Sequence, residues 1–144
     1  MQNVVEFTPS RVGKYNWNTI FFVSAFHLAA LAAIFTFSWS NLIATLVVWV
    51  VAASWGIGIG YHRLLTHRGF TTSKWMMRFF ATCGTLGLQS GPISWVTTHR
   101  LHHAFTDTDK DPHSPRKGIW WSHIGWIFEG TAQNQPQSVR QRYS

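Results

Sequence analysis

TIFFVSAFHLAALAAIFTF, residues 19–37, and LIATLVVWVVAASWGIGIGY, residues 42–61, lie inside a stretch from Tyr15 to His62 that contains no Asp, Glu, Lys or Arg. A bilayer core about 30 Å thick takes a helix of about 20 apolar residues, and each run meets that length. Only SWSN, residues 38–41, links them, so they read as an antiparallel transmembrane hairpin with an uncharged turn. A cleaved signal peptide fits the first run poorly, because the run is too long for an h-region and no small-residue cleavage site follows it.

The flanks set the expected orientation. Arg11 and Lys14 precede the first run, and Arg63, Arg68, Lys74 and Arg78 follow the second. Excess Lys and Arg stays on the cytoplasmic side, which places the N-terminus and everything after His62 in the cytoplasm and the turn outside. The single Cys83 excludes an intrachain disulfide framework and suits a reducing compartment. Trp17, Trp39, Trp120, Trp121 and Trp126 suit the water–lipid interface. The 144-residue chain has 12 Lys+Arg against 5 Asp+Glu. Its basic residues are too sparse and too close to the spans for a nucleic-acid surface, so no nucleic-acid partner is expected.

Gly56, Gly58 and Gly60 end the second run. No strand precedes them and the third glycine comes too early for a dinucleotide loop, so Gly56 and Gly60 are read as a close helix-packing seam. His27 falls mid-span, where a polar side chain is expected to bond across to another helix. The uncharged run 79–99 is long enough to span, yet its Thr, Ser, Gln, Gly and Pro content points to a surface-lying or partly inserted helix. That helix should break near QSGP, with Ser90 and Pro92 starting the next one.

Two histidine clusters follow the hairpin: YHRLLTH with His62 and His67, and THRLHH with His99, His102 and His103. Imidazole is the commonest protein ligand for iron, zinc and copper at neutral pH. The second cluster has i, i+3, i+4 spacing, which puts its three rings on one helix face. His62 and His67 are five apart, about 140° around an ideal α-helix, so they need a distorted helix end or serve different ions. Structural zinc usually draws on Cys, and carboxylate di-iron bundles need Glu-x-x-His pairs. With one Cys and only Glu6 and Glu129, a nearly all-imidazole site for redox-active iron remains. DTDKD, residues 107–111, begins like a calcium loop, but Pro112 takes the glycine position and no Glu closes it. A turn is expected there, with Asp111, His113 and, further on, His123 as candidates to orient a metal-bound imidazole.

In order, the two spans, GYHRLLTHRGF, THRLHHAFTDTDKDPHSPRKG and WWSHIGWIF resemble the membrane fatty-acid desaturases of the stearoyl (delta-9) type across nearly the whole chain. The resemblance implies an all-α integral membrane protein with interfacial helices carrying histidine boxes on the cytoplasmic side. It implies two non-haem irons, with His62, His67, His99, His102 and His103 among the ligands. It also implies a saturated fatty acyl substrate, membrane lipid around it and an electron donor such as a ferredoxin or small cytochrome. A histidine-rich membrane hydroxylase or ketolase, and a haem-binding or non-catalytic membrane protein, are the alternatives.

The family continues with two further spans and a third histidine box, so the chain reads as one partial domain, 1–144. The spans occupy about 19–37 and 42–61, the histidine-box region 62–129 and a polar tail 130–144. Five imidazoles cannot give two irons three ligands each, so this segment alone is expected to hold iron weakly and to be inactive. Acyl-CoA enzymes of the animal type carry a basic pair after SHxGW and an Arg-Asp pair before the second box. Here Glu129, Gly130 and Thr131 stand at the first place and Thr97 and Thr98 at the second, which favours an acyl-lipid substrate. Arg116 and Lys117 are left as a candidate contact for a phosphate or for the lipid surface.

Overall fold

The computed structural model describes residues 15–130 and 136–143, all helix and turn with no strand among them. Arg11, Lys14 and Thr131 lie outside the described residues. Helix α1, Trp17–Ala32, opens on Asn16, whose side chain accepts from the Thr19 amide at 3.1 Å, and tightens into a 3-10 turn at Ala33–Thr36. Helix α2 begins at Trp39 under a Ser38 cap and runs through a second half, Val50–Thr66, whose hydrogen bonds close from i to i+5. The two helices, Trp17–Thr36 and Trp39–Thr66, are long and apolar enough to cross a membrane. No residue of α1 is buried, and its Phe, Leu and Ile side chains present an apolar surface that a bilayer would remove from water.

The second span is therefore longer than expected from the sequence. Trp39, under the Ser38 cap, starts it three residues earlier than Leu42, which shortens the turn to Phe37 and Ser38, and Asn41 donates back to the Thr36 carbonyl at 3.2 Å. Its far end passes Tyr61 to reach Thr66, because the wider winding keeps satisfying backbone groups up to the first histidine box.

Helix α3, Lys74–Thr85, is capped by Ser73 and packs against the second half of α2. The glycine seam explains how. A methyl on Gly56 would collide with the backbone of Cys83 and Gly84, and one on Gly60 would come within 2.9 Å of the Phe80 carbonyl. In return Gly84 leaves room for the ring of Tyr61, which is fully buried. The seam expected at Gly56 and Gly60 thus exists, and α3 is the helix that fills it. Helix α1 instead touches α5, Trp126–Phe128, where the Asn16 amide donates to the Phe128 carbonyl at 2.7 Å. His27 corrects its expected interhelical bond: its Nδ1 lies 2.8 Å from the Val23 carbonyl of the same helix.

Helix α4, Pro92–Phe105, follows a turn in which Leu88 and Ser90 take positive φ. Pro92 occupies the first turn as expected, but Gly91, with no side-chain bond, stands at the cap in place of Ser90. α4 lies against the second half of α2 and against α6, Gln137–Tyr143, where Val139 covers Leu101. Both histidine boxes are thereby brought to one end of α2.

Candidate metal centre

His62 lies on the last turn of α2 and His67 is the residue that caps it. The His67 amide donates to the His62 carbonyl at 3.0 Å, a bond spanning five residues, and this winding superposes two side chains that an α-helix would separate. Their Nε2 atoms stand 3.1 Å apart. On α4, His99 and His103 are one α-turn apart and their Nε2 atoms also stand 3.1 Å apart. The pairs meet edge to face, with ring centroids 4.9 Å apart for His62 and His99 and 4.8 Å for His67 and His103. One ring nitrogen from each of the four lies within 4.8 Å of the others.

This donor set fits a metal ion. Metal–nitrogen bonds of about 2.0–2.1 Å put neighbouring nitrogens of a four-coordinate shell about 3.3 Å apart, close to both Nε2 pairs. The electrostatics agree. Burial, then the neighbouring His103, His62, His67 and His102, push the His99 imidazole down to about 4. Burial first, then His67 and His102, lowers His103. Depressed imidazoles are neutral at pH 7, the form that coordinates a metal. The Trp95 indole stacks on His99 at 4.7 Å and fixes its ring plane.

His102 leaves this group. Its Nδ1–H donates to Asp111 Oδ2 at 3.0 Å, and its ring stacks on His113 at 4.4 Å. Asp111 is fully buried and also accepts from the Asp107 amide at 3.0 Å and the His113 amide at 3.1 Å. Burial alone would raise its carboxyl, but the bonds from Asp107, His102 and His113 outweigh that and hold it below the usual carboxylate range. His102, Asp111 and His113 also lie close enough to hold a cation. With three of about four lone-pair sites already used, however, the carboxylate is better placed to fix His102 with Nε2 outward, as metal-binding imidazoles are commonly held. His123 is exposed and belongs to neither group.

Of the five histidines singled out in the sequence, the structure brings four together and turns the fifth towards Asp111. The split was not readable from the spacing, because i, i+3 and i+4 residues share one helix face; it comes from the turn that brings Asp111 to His102. The i→i+5 winding had one local signal, the five-residue spacing of His62 and His67, which called for a distorted helix end.

The fatty acid desaturase family model matches residues 38–142, which include all of these side chains. The chain belongs to the fatty acid desaturase family. Among desaturases, it is 50% identical over 118 residues to the sn-1 stearoyl-lipid 9-desaturase of Anabaena variabilis, covering 80% of this chain and 43% of that protein. It is 48% identical over 118 residues to the delta-9 acyl-lipid desaturase 1 of Arabidopsis thaliana, covering 78% of this chain and 38% of that one. The acyl-CoA 5-desaturase of Anemone leveillei is 42% identical over 140 residues, 88% of this chain and 44% of its own length. The chain thus spans less than half the length of these desaturases.

Proposed function

We propose that this chain forms the N-terminal part of a membrane desaturase that introduces a double bond into a saturated acyl chain. The observation that carries the reading is the meeting of two histidine boxes at one point, with one ring nitrogen from each of four imidazoles within 4.8 Å of the others and 3.1 Å within each pair. His62, His67, His99 and His103 would hold one iron. His102, fixed through Asp111, would offer its outward Nε2 to a second, completed by histidines beyond these 144 residues. When bound, the iron pair supplies the redox chemistry by which dioxygen, two electrons and two protons take two hydrogens from adjacent methylenes and leave two waters.

The protein's own part is positional. Neutral imidazoles held by Trp95 stacking and by the Asp111 carboxylate keep the coordinating nitrogens aimed without rearrangement. An acyl tail already lies in the bilayer, so a site at the end of a span meets its substrate without drawing it through water. We read the substrate as acyl-lipid. Thr97 and Thr98 are both buried, and the Thr97 hydroxyl is spent on the Ile93 carbonyl at 2.8 Å, so this place offers no charged headgroup contact. Two of the relatives above are named for acyl-lipid substrates and one for acyl-CoA. A ferredoxin or small cytochrome is the fitting electron donor, and the histidine boxes face the cytoplasm in this reading.

The test is to join residues 1–144 to the C-terminal part of the Anabaena variabilis relative, reconstitute the protein with a stearoyl lipid, dioxygen and reduced ferredoxin, and analyse the acyl products by mass spectrometry. A mass loss of two hydrogens is expected. An added oxygen would favour a hydroxylase, and unchanged lipid would count against both.

A further inference from the structure

Each histidine pair has a local origin, one in the i→i+5 winding of α2 and one in the α-turn of α4. Neither explains the separation between the pairs, because the boxes are far apart in the chain. Arg100 spans that gap. Its Nε donates to the Thr66 carbonyl at 3.2 Å, and one terminal nitrogen donates to the carbonyls of Thr66 and Leu65, both at 2.9 Å.

These bonds fall one residue behind a histidine on each side: Thr66 precedes His67, and Arg100 follows His99. The carbonyls at a helix C-terminus lack intrahelical partners and carry the negative end of the helix dipole, so a cation there is favoured. A planar guanidinium meets two carbonyls at once in a fixed fork, which a lysine ammonium on a flexible stem does not do. Arg68 lies near enough to repel Arg100. The guanidinium is nevertheless kept half-buried against the end of α2, as a residue used for its geometry would be.

We propose that Arg100 is a positioning residue for the four-histidine group, holding the His62–His67 pair at coordinating distance from the His99–His103 pair through the Leu65 and Thr66 carbonyls. This rests on the metal-binding reading above. A cap that only stabilised the end of α2 would change melting without changing ligation, and cobalt(II), whose absorption bands report coordination geometry, separates the two roles.

The 144-residue chain, reconstituted in detergent or nanodiscs, is titrated with cobalt(II) alongside Arg100→Lys and Arg100→Ala, with helix content and melting followed by circular dichroism. Arg100→Lys, which keeps the charge, should retain helix content and a melting point near the parent's, yet bind cobalt at least tenfold more weakly with diminished tetrahedral bands. Arg100→Ala should lose more, with partial recovery on adding guanidinium ion. If Arg100→Ala does not insert, Arg100→Lys decides alone. Parental cobalt affinity and spectrum in Arg100→Lys would overturn the proposal while leaving the metal site standing. Failure of the parent chain to bind cobalt would instead remove the metal-binding reading on which it rests.

Discussion

His62 and His67 point their Nε2 atoms at each other across 3.1 Å because the last turns of α2 close over five residues in place of four. This single change of winding removes the obstacle that an ideal α-helix sets up, a separation of about 140° for residues five apart. It also explains why the span runs on past Tyr61: the same turns end the membrane helix and build the first half of the site.

The spacing can be tested by moving the imidazole. In the double variant Thr66→His, His67→Ala the histidines stand four apart, the spacing an α-helix needs. On this helix the relocated ring should miss the group, and cobalt affinity should stay at the level of His67→Ala alone. Recovery of parental affinity would mean that the end of α2 is an ordinary α-helix in the membrane.

Glycines on α2 differ sharply in what surrounds them. Gly56→Ala would drive a methyl into the backbone of Cys83 and Gly84, and overpacking of this kind costs about 1–3 kcal/mol. Gly58 has only the Ala53 carbonyl nearby, at 3.4 Å, so Gly58→Ala should be neutral or stabilising by up to about 1 kcal/mol through helix propensity. Thermal unfolding in detergent should separate the two by several degrees. Equal melting points would argue that α3 does not sit in this seam.

Much of this was legible in the sequence, for identifiable reasons. A charge-free run from Tyr15 to His62 leaves little choice but membrane-length helices, and Gly56 and Gly60 announced a close neighbour without saying which. That neighbour is α3, through Phe80, Cys83 and Gly84, because the partner of a seam is set by tertiary packing. The histidines were visible as a set, but their division was not. His102 belongs with Asp111 only because the 106–111 turn folds back, with Asp107 at φ 57°, and brings a carboxylate under the helix. His27 misled for the converse reason: its own helix offers the Val23 carbonyl, so it needs no partner across a gap.

The orientation expected from the basic flanks can be read by cysteine labelling. The one native thiol, Cys83, is buried and should give little background with impermeant maleimides. Ser40→Cys, exposed beside the hairpin turn, should label from outside intact cells, and Ser73→Cys at the start of α3 only after permeabilisation. The opposite pattern would invert the hairpin and place the histidine boxes outside.

The geometry also changes what this segment should do on its own. Counting five histidines against two irons predicted weak binding, but four of the five form a group of their own and can complete one four-coordinate shell. The isolated chain should therefore bind one equivalent of cobalt(II) or zinc(II). Single Ala variants of His62, His67, His99 and His103 should each lower affinity by roughly 10-fold or more, because metal affinity is shared among all ligands of one shell. His102→Ala should leave this equivalent nearly unchanged, since His102 stands outside the four-histidine group, beside Asp111 and His113. Asp111→Ala should likewise spare it while destabilising the 106–114 turn. Its loss removes bonds to the His102 N–H and to the amides of Asp107 and His113 at a part-buried place that water reaches, at a cost of about 0.5–1.5 kcal/mol for each. Calorimetry on the five histidine variants and melting of the aspartate variant provide the check. A loss on His102→Ala as large as on His99→Ala would mean that the five rings act as one cluster and that the division seen here is wrong.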